Sequence, residues 1–204
     1  MKKLSYLASL VVLYLPLAAS AQEVTPKVEI FGGYSFLRLN LGANLSGVPA
    51  GVDLGNFDMH GFNVSFAGNV ARHVGIVSEF SRYTKSESAF APVPVLGNLS
   101  GDVSVLTLLF GPRVTLHRGK VEPFVHALFG AARATATASG GPGLSQNTVG
   151  YAFAYALGGG LDVKANNNFA IRLGQVDYLG ARSGGQGLNN FRYSVGVVIR
   201  LGNR

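Results

Sequence analysis

The chain has 204 residues, of which 48% are hydrophobic and only 13% charged, with no cysteine and a formal net charge of +7. About a quarter of the residues of an ordinary soluble domain are charged, so this composition points away from one, and the missing cysteines exclude a disulfide framework. The basic residues are scattered, with no run or aromatic interleaving to track a nucleic-acid backbone, so no nucleic-acid partner is expected.

Lys2 and Lys3 precede an apolar run, Leu4–Ala19, that carries Pro16 and leads into Ala19-Ser20-Ala21. A run this short, basic in front and closed by a small-x-small triplet, reads as an export signal rather than a spanning helix. Cleavage is expected before Gln22. Residues 1–21 are then the leader and 22–204 a single barrel domain, and the charge falls from +7 to +5 as two lysines leave.

After a polar lead-in, Val28–Leu39 reads as the first strand, with Val28, Ile30, Tyr34 and Phe36 on one face and Glu29, Gly33 and Ser35 on the other. Asn40–Asp58, rich in Gly and Asn, reads as a long loop. Met59–Val70 alternates again, Phe62, Val64 and Phe66 against Gly61, Asn63, Ser65 and Ala67. A tight connection, Ala71-Arg72-His73, leads to Val74–Thr84, where Val74, Ile76 and Phe80 oppose Gly75, Val77, Glu79 and Ser81. Lys85–Gly101 is expected to be a second long loop.

Asp102–Leu116 sets Leu106, Leu108, Phe110 and Val114 against Thr107, Gly111, Arg113 and Thr115. His117–Lys120 is a short turn, and Val121–Ala134 sets Val125, Ala127 and Phe129 against Glu122, His126 and Gly130. A third long loop is expected over Thr135–Val149. The sixth strand, Gly150–Val163, has the sharpest period of two: Tyr151, Phe153, Tyr155, Leu157 and Leu161 on one face, and Ala152, Ala154, Ala156, Gly158, Gly160 and Asp162 on the other. One face is large and apolar while the other is nearly bare, which suits a narrow lumen inside a wall that faces lipid. Lys164–Asn168 is a short turn, Phe169–Tyr178 a seventh strand, Leu179–Asn189 a fourth long loop and Asn190–Gly202 an eighth strand.

Eight strands of ten residues or more, joined by connections that alternate long and short, predict an all-β, eight-stranded, antiparallel up-and-down transmembrane barrel. Within the strands Glu29, Glu79, Arg113, Glu122, Asp162, Arg172, Arg192 and Arg200, with His126, share the face of the small residues. These nine form the expected lumen charge network, with Asp162 beside Arg172 across a short turn and Glu29 facing Arg200 where the first and last strands meet. Arg38, Arg82, Asp102, Arg133 and Asp177 fall on the apolar face, each at a strand end beside a long loop, where a charge costs little. Tyr34, Phe36, Phe62, Tyr83, Tyr151, Phe169, Tyr178, Phe191 and Tyr193 are candidates for interfacial girdles.

Phe31-Gly32-Gly33-Tyr34-Ser35, Leu109-Phe110-Gly111-Pro112-Arg113, Gly158-Gly159-Gly160-Leu161-Asp162 and Tyr193-Ser194-Val195-Gly196-Val197 resemble the eight-stranded outer-membrane barrel superfamily. This is the group of the outer-membrane protein A transmembrane domain and the small opacity-type barrels. The resemblance covers the mature chain and implies location in the bacterial outer membrane, with membrane lipid and the barrel-assembly machinery as partners. No peptidoglycan-binding domain follows the last strand, so a wall-tethering role is not carried over. The chain also ends Ile199–Arg204 where that group ordinarily closes on an aromatic residue, so its terminal assembly signal is not carried over either.

Nothing in the strands reads as chemistry. His60, His73 and His117 stand at strand ends or turns and read as solvated surface. His126 is expected to point into the lumen near Glu122 as a structural residue, because no serine nucleophile is spaced to use it. The glycine triplet at 158–160 sits in a strand, without the helix a phosphate loop requires. No catalytic residue, cofactor or metal site is expected. Three functions remain: a porin-like but side-chain-filled envelope barrel that displays its loops, which the sequence favours; an adhesin or ligand-binding barrel acting through those loops; and a small, low-conductance channel.

Overall fold

A computed structural model describes residues 25–40, 56–90, 98–117, 119–140, 144–183 and 186–203. The expected leader and its cleavage point before Gln22 lie outside these. The described chain is eight strands: β1 (Pro26–Asn40), β2 (Asn56–Asn69), β3 (Val74–Phe90), β4 (Asn98–Thr115), β5 (Val121–Gly140), β6 (Leu144–Lys164), β7 (Phe169–Ser183) and β8 (Gln186–Asn203). Each pairs antiparallel with its sequence neighbours, and β1 closes the barrel on β8 through pairs that include Glu29↔Arg200 and Tyr34↔Val195. The eight-stranded, up-and-down, all-β architecture is the one the alternation predicts.

The short connections gather at one end. At β2–β3, Val70 and Ala71 both donate to the Val74 carbonyl at 3.0 Å, and at β6–β7 the Asn166 side chain accepts from the Asn168 and Phe169 amides at 2.9 and 2.8 Å. A short Asn side chain that mimics a backbone carbonyl is what lets so brief a turn close. In the β4–β5 turn, Gly119 adopts φ 64, a conformation that costs glycine nothing.

At the other end the strands run further than the sequence suggests. Thr135–Val149, expected as a loop, is mostly a ladder, with β5 and β6 paired to Gly140↔Leu144. Lys85–Gly101 likewise becomes strand, paired to Phe90↔Asn98, and Leu179–Asn189 pairs to Ser183↔Gln186. The residues of these stretches are mostly small or polar. They lack the alternation that marks a strand in lipid, although their backbones still pair.

Side chains are sorted by face as the period of two requires. Phe66, Phe110, Val125, Val176 and Phe191 point outward, each more than half exposed, while charged and small residues fill the inside. The interior also carries an apolar layer, of which the alternation places Ala154 and Ala156 inside but does not flag the large residues. Leu37, Met59, Tyr83, Leu109, Leu128, Ala154, Ala156 and Leu179 are buried together. Tyr83 therefore belongs to the lumen and not to a girdle: it shares the parity of Glu79 and Ser81, and its hydroxyl meets Ser35 Oγ at 2.9 Å.

Inward glycines allow the wall to curl tightly. A Cβ on Gly130 would lie 2.0 Å from the Leu108 carbonyl oxygen and 3.0 Å from Leu109 Cα, so only backbone movement would admit it. Gly130→Ala is expected to lower unfolding stability in detergent by about 1–3 kcal/mol through overpacking, as measured by urea titration.

Candidate functional site: a charged lumen

All nine residues expected in the lumen are buried inside the barrel. β3, β7 and β8 build an upper group. Arg192 on β8 reaches Glu79 Oε1 at 2.5 Å and Asp177 Oδ2 at 2.6 Å, and donates through Nη1 to Ser81 Oγ at 3.0 Å. The Gln175 amide donates to both carboxylates, at 2.8 Å to Asp177 and 3.2 Å to Glu79. His126 Nε2 lies 2.7 Å from Asp177 Oδ1. The partner of His126 is therefore Asp177 and not Glu122. Glu122 shares its face four residues away, but four residues of strand span about 13 Å.

Asp177 is the residue misassigned by the alternation, which puts it on the lipid face at a strand end. It is fully buried. The register shifts between Arg172 and Gln175 in the β7–β8 pairing and between Leu161 and Asp162 in the β6–β7 pairing. One extra residue in β7 lets both Arg172 and Gln175 point inward while Leu173 points out, so every residue above the bulge changes face. Among the described residues the lumen consequently holds five carboxylates against four arginines, not four against four.

The lower group sits at the end with the short turns. Arg172 makes a two-pronged contact with Asp162, 2.8 Å from Nε to Oδ1 and 3.0 Å from Nη2 to Oδ2. Its guanidinium is stacked between Phe31 and Phe124, 4.3 and 4.2 Å from their ring centroids. Its Nη1 also donates to Gln175 Oε1 at 2.7 Å, which joins the two groups. Arg113 pairs with Glu29, and Arg200 pairs with Glu122 and lies 3.4 Å from Glu29. Glu29 and Arg200 do face each other across the seam, but Glu29 takes its main contact from Arg113 on the opposite wall. Lys164, at the start of the β6–β7 turn, adds a 3.4 Å contact to Glu122.

Beyond the end of β4, His117 is buried rather than solvated, with its ring centroid 6.1 Å from that of His73. Burial pushes its imidazole below the usual histidine range, since desolvation disfavours the charged form. His60, by contrast, is exposed and hydrogen-bonded to the Tyr34 hydroxyl. Among the described residues no cluster of three or more His, Cys, Asp or Glu side chains is placed to hold a metal ion. Every charged group in the two lumen networks has an opposite charge beside it, so the arrangement fills and cross-braces the lumen.

No family model matches the sequence, and a search of curated proteins finds no match. Solved structures do match. The attachment invasion locus protein of Yersinia pestis aligns with a TM-score of 0.60 at 18% identity, covering 87% of this chain and 99% of that one. Neisserial surface protein A aligns at 0.59 with 11% identity, over 88% and 100% of the two chains. The outer membrane protein OprG of Pseudomonas aeruginosa aligns at 0.53 with 14% identity, over 88% and 97%. The chain has the fold of the small eight-stranded outer-membrane barrels.

Proposed function

We propose that this protein is a non-enzymatic integral barrel of the bacterial outer membrane, closed along its lumen and displaying its long hairpins outside the cell. The carrying observation is the segregation of side chains: charges and amides are buried within, while a continuous apolar wall faces out. In water that wall would be an exposed patch far beyond the few hundred Å² that soluble proteins tolerate. In lipid it is the required surface, so outer-membrane lipid is its solvent. Export by the 1–21 leader and insertion by the barrel-assembly machinery complete this reading.

Planar-bilayer conductance tests the closed lumen. Wild-type protein is expected to give no large stable openings, and their appearance would establish the channel reading instead. Arg172→Ala removes the guanidinium between Phe31 and Phe124 and frees Asp162, and is expected to produce openings that the wild type lacks. Migration that depends on heating before electrophoresis checks that each variant has folded as a barrel.

An adhesive role is the second reading. It is favoured by the ladders of β3 to β6 continuing past the apolar wall and by the fold shared with the attachment invasion locus protein. Truncating those hairpins separates the two: a structural barrel keeps envelope integrity and loses nothing else, whereas an adhesin loses cell binding.

A further inference from the structure

The end of the barrel with the short turns holds two histidines that neither lumen network uses. His117 follows the end of β4 and keeps its inward parity, since Arg113, Thr115 and His117 are buried while Pro112 and Val114 are exposed. His73 stands in the β2–β3 turn and is exposed. Backbone bonds tie these connections together. The His73 carbonyl accepts from the Thr115 amide at 2.8 Å, and the Leu116 amide donates to the Pro123 carbonyl at 2.9 Å. The β3–β4 ladder sets Val74 opposite Val114 just above. The two rings meet as a result, with centroids 6.1 Å apart and planes inclined at 53°.

His117 is the less ordinary of the two. Only 5% of it is exposed, yet among the described residues neither of its ring nitrogens has a hydrogen-bond partner. A buried neutral imidazole normally uses one nitrogen as donor and the other as acceptor. Burial holds this ring neutral, against the pull of Glu122 on β5 and Glu29 on β1 and with the help of Arg200 on β8 and of His73. A neutral imidazole with a free lone pair is what a transition metal takes from a protein. The spacing agrees. Two imidazoles bound to one ion through nitrogens about 2.0–2.1 Å from it have centroids about 5–6.5 Å apart, depending on the angle at the metal.

We propose that His73 and His117 are the protein ligands of a divalent transition-metal site, of the zinc or copper class, at the short-turn end of the barrel. The two imidazoles supply half of a four-coordinate set and water the remainder, because among the described residues no cluster of three or more His, Cys, Asp or Glu forms a closed cage. Calcium and magnesium do not suit this donor set, since both take oxygen ligands. His73 is open to solvent, so an ion enters without the lumen loosening. Once bound, it pins the β2–β3 turn to the end of β4 beneath the lower charge group. A periplasmic source for the ion rests on the barrel reading above; the pair itself rests on the ring geometry.

The test uses the full chain without an affinity tag, folded in detergent and checked by heat-dependent migration. Titration with Cu²⁺ or Zn²⁺ alone is expected to saturate with a single ion per chain. Electron paramagnetic resonance of the Cu²⁺ form should show two nitrogen ligands, a signature that a merely structural histidine would not give. His73→Ala, in an exposed turn where folding is not at stake, should weaken binding by at least the roughly 10–100-fold that loss of an outer-shell partner costs. His117→Gln should do the same while leaving a polar side chain in the buried place. His60→Ala is the control, because His60 lies at the other end of the barrel, opposite Phe36 and Thr84, and its loss should leave the affinity unchanged. Zn²⁺ should also raise the urea midpoint of the wild type and not that of His73→Ala, since an ion that binds only the folded state stabilises it. No saturable binding by a folded barrel, a single nitrogen in the Cu²⁺ spectrum, or equal weakening by His60→Ala would each overturn the proposal. Migration is read separately, so failure of the metal site would leave the barrel standing.

Discussion

Arg192→Ala is expected to be the most damaging single change inside the barrel, with a loss of about 3–5 kcal/mol in unfolding stability. Arg192 is almost fully buried and is the cation that Glu79 and Asp177 share, at 2.5 and 2.6 Å. Without it two carboxylates remain on one side of a narrow lumen with the Gln175 amide between them, and water enters only by loosening the apolar layer formed by Leu37, Met59, Tyr83 and Leu179. The penalty arises mainly from the stranded carboxylates, not from the lost contact, because removing one member of a buried ion pair leaves its partner desolvated. A neutral set checks that cause. Combining Arg192→Met with Glu79→Gln and Asp177→Asn removes all three charges, and should recover most of the loss in urea titrations of the detergent-folded protein. An Arg192→Ala protein that unfolds at the wild-type urea concentration would mean that the lumen is wet enough to solvate these groups.

The number of strands, their faces and the lower charge group are legible in the sequence because lipid imposes a strict rule on alternate residues. Asp162 and Arg172 sit a few residues beyond the two ends of a short turn, so their meeting follows from chain geometry alone. Asp177 is not legible. A bulge of one residue leaves no composition signal in Ile171–Asp177, and it reverses every face above it. The apolar layer does have a readable signal: Leu109 lies between Thr107 and Gly111, and Leu128 between His126 and Gly130, all on the inward parity. Size alone assigns such residues to the lipid face, but position decides. The upper ladders of β5 and β6 are hidden for the opposite reason. Thr135–Ser139 and Ser145–Gly150 pair in the ladder but carry almost no large apolar residue, so no apolar face of period two marks them as strand.

Leu157→Arg is expected to prevent assembly of most of the protein, whereas its neighbour Ala156 tolerates a polar atom at modest cost. Leu157 lies on β6 between Ala127 and Tyr178 in the ladder and is 48% exposed on the outer wall. Phe129 and Tyr155 flank it above and Val125 lies below, all on the same outer face, so the position is well inside the apolar band. An arginine near the bilayer midplane of such a barrel costs about 2–4 kcal/mol, and the contact of the leucine with its neighbours is lost as well. Ala156 is fully buried on the inner face, opposite Leu128 and Leu179. Ala156→Ser therefore places a hydroxyl in the apolar layer and costs about 1–3 kcal/mol where no partner is within reach, without opposing entry into lipid. Folding into vesicles of bacterial phospholipid, scored by heat-dependent migration and protease resistance, reads the difference. The Ala156→Ser protein should fold fully with a lowered urea midpoint, and the Leu157→Arg protein should remain mostly unfolded. Equal assembly of the two would mean that the faces of β6 are the reverse of those assigned, and with them the inside and outside of the whole wall.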